Sequence, residues 1–385
     1  MSFLGHVRIR ETHGIRRFLY PVSVEIPATI LDPADCHDGG PAAVLITPDD
    51  RQIPLQVTPG AVNPDQDRRL DFAVSLSPFE ELELKLFSAR PEFAPLGKEG
   101  RGDFTIDASA ALDDPLRTVE EERRFRCSQR RFSTEFDRSG TLHEVEYDSE
   151  QHLRAPATFS RNGRRALLEG VSAFAAGFPL SARVSAAGQY PDGCRAQTLL
   201  ETTAYKSWVM LTHSLSQTQP DDELVFNLPT TISSSVITCD FGVGGGIYGS
   251  LNVETRPEIT WHSRLSRSGP VSWSIASGER TDYIGEAQTT EECLRQRWFH
   301  LVGGRKALAV AVTQVPAGCR EMKVTLNANG DVTVAFRMGE AAFEAAAFGL
   351  CCHFLNNIPA IAAATNPQSI LLPPVVSWTA SDSGA

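Results

Sequence analysis

No run of about 18 apolar residues occurs in the 385-residue chain, so no segment reads as a membrane-spanning helix. A GxxxxGKS/T phosphate loop, HExxH, GxSxG and a paired CxxC are all missing, which removes the P-loop, zincin, nucleophile-elbow and zinc-ribbon readings. There is no long basic stripe interleaved with aromatics, and the formal charge of −11 repels a phosphate backbone; nucleic acid is excluded as a partner. An anionic sugar would meet the same average field, so a site for one needs a local basic pocket. The opening MSFLGHVRIRETHG is charged by residue eight and has no apolar run of leader length. The expected location is cytoplasmic, or secreted if a leader has been trimmed. Eight cysteines, at 36, 127, 194, 239, 293, 319, 351 and 352, lie too far apart for a compact disulfide framework and read as reduced, mostly buried thiols.

Short segments of period-2 alternation are abundant. Val22, Val24 and Ile26 alternate with polar neighbours, as do Leu82, Leu84 and Leu86, and Pro48-Asp49-Asp50 reads as a hairpin turn. Residues 1–90 are therefore expected to form a small β-sandwich. Residues 91–117 lose the alternation, gain Pro, Gly and Asp, and read as a linker or long loop carrying an Arg-Gly-Asp tripeptide taken as chance. Beyond it, Thr118 and Glu121 suggest a capping box, and about eleven strand segments follow, among them ELVFNLP, EITWHSRLS and DVTVAFRM. No amphipathic helices of crossover length separate them, so residues 118–385 read as a large antiparallel sandwich or supersandwich. One helix is expected near 340–357, where EAAFEAAAFGLCCHFLNN is Ala-rich with apolar residues at 343, 347, 350 and 354. Residues 370–376 read as a last strand. The expected fold class is all-β.

Residues able to carry chemistry lie mainly on these strands. A literal GxGxxG at Gly244, Gly246 and Gly249 runs into another strand, leaving no helix N-terminus for a pyrophosphate; a glycine-rich turn is expected. Asp32, Asp35, Cys36, His37 and Asp38 crowd a polar loop that reads as a solvated turn, and neither a metal nor a cofactor is assigned. On Leu142–Tyr147, period 2 places His143 and Tyr147 on one face, as an acid/base pair or as border residues. Read as one long strand, 201–215 places Glu201, Tyr205 and His213 together, with Trp208 on the opposite face. His262 and Arg264 share a face, where the guanidinium would neutralise a carboxylate beside a histidine proton carrier. His300 shares a face with Trp298. Trp208, Trp261, Trp273 and Trp298 offer flat apolar surfaces for sugar rings, with core packing the competing reading for each. His353, between Cys352 and Phe354, reads as a satisfied core histidine.

The opening logic, GIRRFLYPVSVEIP, then DDRQIPLQVT, then LDFAVSLSPFEELELKL, resembles the β-sandwich modules of exo-acting rhamnogalacturonan lyases and the C-terminal β-domains of alpha-mannosidases. Pro21, Asp50, Pro54 and Gln56 carry that likeness. LVFNLPTTISSSVITCDFGVGGGIYGSLN is similar in style to the central strands of the galactose-mutarotase-like supersandwich. The resemblance implies a carbohydrate-related fold and transfers no catalytic residue. Three functions stay open. One is a lyase cleaving uronic-acid-containing glycans by β-elimination, with a cation at the carboxylate and a His or Tyr as base. Another is a sugar mutarotase or epimerase using His213 and Glu201. The third is a non-catalytic carbohydrate-binding or structural sandwich assembling with itself as a homo-oligomer or with another chain.

Overall fold

Alternation becomes strand where one face meets the core. Glu223–Pro229, Glu258–Ser266 and Asp331–Met338 are strands over the residues that the pattern marks. The computed structural model describes residues 2–31, 43–53, 55–59, 66–88, 105–107, 124–129, 131–137, 141–174, 181–203, 206–252, 258–356 and 367–381. The Asp32–Asp38 loop, Pro54, the Arg-Gly-Asp tripeptide, Thr118, Glu121 and Tyr205 lie outside them, as does most of the expected linker, apart from a strand at Thr105–Asp107.

Two large antiparallel sheets make the main sandwich. The first has nine strands in the order Leu167–Phe174, Ser181–Gln189, Arg195–Thr203, Trp208–Thr218, Phe343–Asn356, Lys306–Gln314, Trp298–Gly303, Val236–Phe241 and Ile247–Asn252. The second has seven, running from Thr158–Arg161 to an edge strand at Arg280–Glu286. Rings interlock between the two sheets, with Phe159 stacked on His213 at 4.6 Å and Trp261 edge-on to Phe241 at 5.6 Å. Trp261 has no exposed surface. A side chain of that size, covering about 150–250 Å², stabilises the core by roughly 4–6 kcal/mol on area grounds.

The N-terminal segment supplies a three-stranded sheet and four strands of a five-stranded one. The expected turn is there: Thr47 and Arg51 close it, and Asp50 takes a positive φ of 59°. The last strand, Val375–Ala380, leaves the large sandwich and pairs antiparallel with Phe3–Arg10. It starts five residues later than expected, because 367–371 form a short helix. Arg17 ties these regions together: its side chain pairs with Glu11 and donates to the carbonyls of Ser369 and Leu372.

The expected helix at 340–357 is instead the strand Phe343–Asn356, which lies between Trp208–Thr218 and Lys306–Gln314. From Phe348 to Asn356 the residues are buried, nearly all on both faces of the sheet. A strand covered on both sides needs no polar alternation, and ladder bonds to two neighbours outweigh the helix propensity of its alanines. A short helix at Thr290–Arg295 starts with a capping box between Thr289 and Glu292. No helix among the described residues is long and apolar enough to cross a membrane.

Candidate functional site

Residues 201–215 are not one strand. Arg195–Thr203 and Trp208–Thr218 form a hairpin in which Glu201 opposes Met210 and Thr198 opposes His213. Directly opposed residues share a face, so the reversal puts Glu201 on the face of Met210 and His213 on the other. The expected Glu201/His213 pair does not form. His213 points into the core, where Nε2 meets the Tyr190 hydroxyl at 2.9 Å and Nδ1 meets the Thr198 hydroxyl at 2.8 Å; burial lowers its pKa to about 4.

The Glu201 face is where polar groups gather. Register aligns Trp298, Ala311, Cys351, Met210, Glu201 and Arg183 in one row. A parallel row carries Asp240, His300, Ala309, His353 and Trp208, and the Trp208 indole donates to the Thr203 hydroxyl at 2.7 Å. Where the three-stranded N-terminal sheet crosses the Trp208 end, a cleft of about 280 Å³ opens. Its lining mixes apolar side chains, Tyr20, Val22, Phe72, Trp208 and Met210, with polar ones, Ser23, Arg69, Asp71, Ser181 and Glu201. Gln56, one of the residues carrying the family likeness, clamps the two sheets: its amide donates to the Ser181 carbonyl at 3.2 Å and accepts from the Ser181 N–H at 2.8 Å.

Charges at the cleft alternate in a closed ring. Arg69 lies 2.7 Å from Asp71 and 3.0 Å from Glu201, and Arg183 lies 3.0 Å from Glu201 and 3.5 Å from Asp71. Burial opposes the Arg69 charge, but Glu201 and Asp71 more than offset it and leave its pKa raised. Two cations face two carboxylates, so the ring is polar without net charge. Tyr20 stands edge-on to Trp208 at 6.2 Å, and burial pushes its pKa up to about 12, keeping its hydroxyl neutral.

No family profile matches the chain, and no curated protein matches it in sequence. Its fold is a known one. A protein in the glycosyl hydrolase family 38 from Enterococcus faecalis superposes with a TM-score of 0.56 at 10% identity, over 98% of this chain and 47% of that one. An alpha-mannosidase from Enterococcus faecalis V583 gives 0.52 at 10% identity, over 98% and 46%. The chain thus spans about half the length of these proteins and shares with them a fold. The likeness to alpha-mannosidases expected from Pro21, Asp50, Pro54 and Gln56 is met at the level of fold, and the likeness to rhamnogalacturonan lyases is not shown.

The other candidate residues are dispersed. A β-bulge breaks the register between Glu135 opposite Glu144 and Phe136 opposite Leu142, leaving His143 as the extra residue. Its Nδ1 lies 3.9 Å from Glu135, so His143 joins the carboxylates rather than Tyr147, which packs against Phe132 and His152. The expected His143/Tyr147 pair is not formed. His262 and Arg264 share an exposed face as expected, with His262 lying 3.7 Å from Glu321. Trp208, Trp261, Trp273 and Trp298 are 0–7% exposed and serve as core, because the sheet faces that carry them are covered. Of the four, Trp208 alone contributes to the cleft wall.

His300 shares a face with Trp298 as expected, the rings nearly parallel at 6.0 Å, but both are sealed. Beside it Asp240, 1% exposed, has its pKa raised to about 6 by burial, and burial lowers His300 to about 4. The glycine-rich segment forms the expected turn: Gly244 and Gly246 have φ of +62° and +89°, and Ile247–Asn252 continues as a strand. A side chain at Gly242 would strike the Trp298 ring at 2.4 Å, which explains a glycine there.

Sequence reasoning missed Tyr20, Arg69, Asp71, Arg183 and Asp240. The acids had a signal, since Asp71 interrupts the apolar LDFAV and Asp240 sits between Cys239 and Phe241, where a strand disfavours a carboxylate. The arginines that pair with Glu201 arrive from strands far away in sequence, and no spacing rule reveals them.

Proposed function

We propose that this chain is a carbohydrate-recognising β-sandwich module whose ligand is a neutral sugar held in the cleft between Tyr20, Trp208 and the Arg69–Asp71–Arg183–Glu201 ring. The observation that carries this reading is a cleft of about 280 Å³ whose lining combines apolar and aromatic side chains with charge-paired hydrogen-bonding groups. A pyranose has the same mixed character, with C–H groups on its ring faces and hydroxyls at its edge. The volume lies just below the roughly 300–1,000 Å³ of small-molecule sites and suits one ring rather than a long glycan. Kinship in fold with half of an alpha-mannosidase makes mannose the first ligand to try.

The same geometry ranks binding above β-elimination. A lyase needs a cation at the uronate and a base beside it. Arg69 in the cleft and Arg183 behind it are matched by Asp71 and Glu201, and His143, His213, His262 and His300 do not converge there. Mutarotation by Glu201 with His213 has no geometric support either, since the two face opposite ways.

Titration calorimetry against mannose, galactose, glucose and galacturonate tests the reading. Neutral sugars should bind with dissociation constants in the millimolar range or below, about −4 kcal/mol or better, and galacturonate more weakly. Met210→Trp, which fills the cleft with a larger side chain, should abolish this binding while the protein stays folded. Absence of binding to every neutral sugar, unchanged binding by the variant, or tighter binding of galacturonate would each count against it.

A further inference from the structure

On the outer sheet of 124–151, the bulge at His143 brings three potential metal ligands together. Among the described residues, one ligand atom from each of Glu135, His143 and Glu144 lies within 4.8 Å of the others, and each residue is half-buried. We propose that Glu135, His143 and Glu144 form a binding site for a divalent transition metal ion, with Zn²⁺ as its natural probe.

Two observations besides proximity support the site. Glu135 and Glu144 are directly opposed across the strand pair, where two like charges destabilise the sheet unless something positive joins them. Arg126, 3.9 Å from Glu135 Oε2, supplies part of that positive charge. In addition, His143 Nδ1 is shielded from solvent without a hydrogen-bond partner, and it faces Glu135 Oε1 at 3.9 Å. That is too long for a hydrogen bond. It is close to the spacing a shared ion imposes: two ligand atoms each about 2.1 Å from zinc stand about 3.4 Å apart in a tetrahedral site. Small side-chain rotations close the difference.

The bulge makes this possible. In an unbroken strand His143 and Glu144 would point to opposite faces, whereas the extra residue turns both toward Glu135. An imidazole with two carboxylates favours Zn²⁺ over Ca²⁺ or Mg²⁺, which prefer all-oxygen shells, and three protein ligands leave a fourth position for water. The site is separate from the sugar cleft, and its fate is independent of that reading.

Chelator-treated full-length protein titrated with ZnCl₂ in a calorimeter tests the site. The expected result is one Zn²⁺ per chain with a dissociation constant in the micromolar range or below, no comparable heat with CaCl₂ or MgCl₂, and a raised melting temperature. His143→Gln and Glu144→Gln should each weaken binding at least about tenfold, and Glu146→Gln, two positions beyond Glu144, should not. Binding weaker than millimolar in the wild type overturns the proposal, as do variants that bind as tightly as the wild type or equal affinity for Ca²⁺.

Discussion

Lowering the pH from 7 to about 4 is expected to unfold this protein, with proton uptake across the transition. His152, His213, His300 and His353 are each at most 8% exposed, and burial is the leading cause that lowers their pKa values to about 4, 4, 4 and 3 from an ordinary 6.5. The unfolded chain takes up protons below pH 6.5 while the folded chain does not, so the stability present above 6.5 is lost as pH falls toward the folded values. Each of these drops is worth roughly 3–5 kcal/mol, and the four together rival the ~5–15 kcal/mol by which a domain is stable. Asp240 works the other way. Its folded pKa of about 6 exceeds the ordinary 3.8, so its contribution is present below 3.8 and lost as pH rises through 6. Asp240→Asn should therefore raise stability at pH 7 and steepen the acid transition. Far-ultraviolet circular dichroism and tryptophan fluorescence against pH measure both, and a melting temperature unchanged from pH 7 to 4 would contradict the argument.

Arg17→Met should lower stability by about 3–5 kcal/mol, the range for removing one partner of a buried ion pair. The side chains of Arg17 and Glu11 have no exposed surface. Glu11 Oε1 accepts from the backbone N–H of His13 at 2.6 Å and of Ile15 at 3.3 Å. Burial opposes the Glu11 charge, yet the bonds from Arg17, His13 and Ile15 hold its pKa below the usual carboxylate range. Without Arg17 the carboxylate is left buried and unpaired, and the carbonyls of Ser369 and Leu372 lose their donor. Melting should fall by roughly 5 °C or more, and adding Glu11→Gln should recover part of the loss. A shift within 1 °C for the single variant would show that the pair contributes little.

The all-β architecture was legible because alternation is a local consequence of having one face in the core. What escaped the sequence depends on neighbours remote along the chain. Phe343–Asn356 carries the helical spacing of 343, 347, 350 and 354, and only the two strands beside it decide against a helix. The hairpin of Arg195–Thr203 and Trp208–Thr218 sets Glu201 and His213 on opposite faces because the chain reverses where the alternation reads as one long strand. The bulge at His143 did the same to His143 and Tyr147. A one-residue error of phase moves every later side chain to the wrong side of a sheet. The capping box at Thr289 and Glu292 was also in plain view, but its helix is only six residues long and lacks an apolar period to mark it. At the cleft, Glu201 and Trp208 were recognised as able to do chemistry, while the partners that define their roles, Arg69, Arg183 and Tyr20, were not.

The pairing of Val375–Ala380 with Phe3–Arg10 sets the order in which the molecule is made. Arg10 waits for Val375, which leaves the ribosome's catalytic centre 365 residues later. At ~5–20 residues per second that is roughly 20–70 s of synthesis during which the first strand has one neighbour missing. Glu81–Ser88 covers its other side early. The vacant edge, with Val7 and Ile9 on a strand whose final partner is still to come, is the natural place for a chaperone to hold the nascent chain and for two unfinished copies to join.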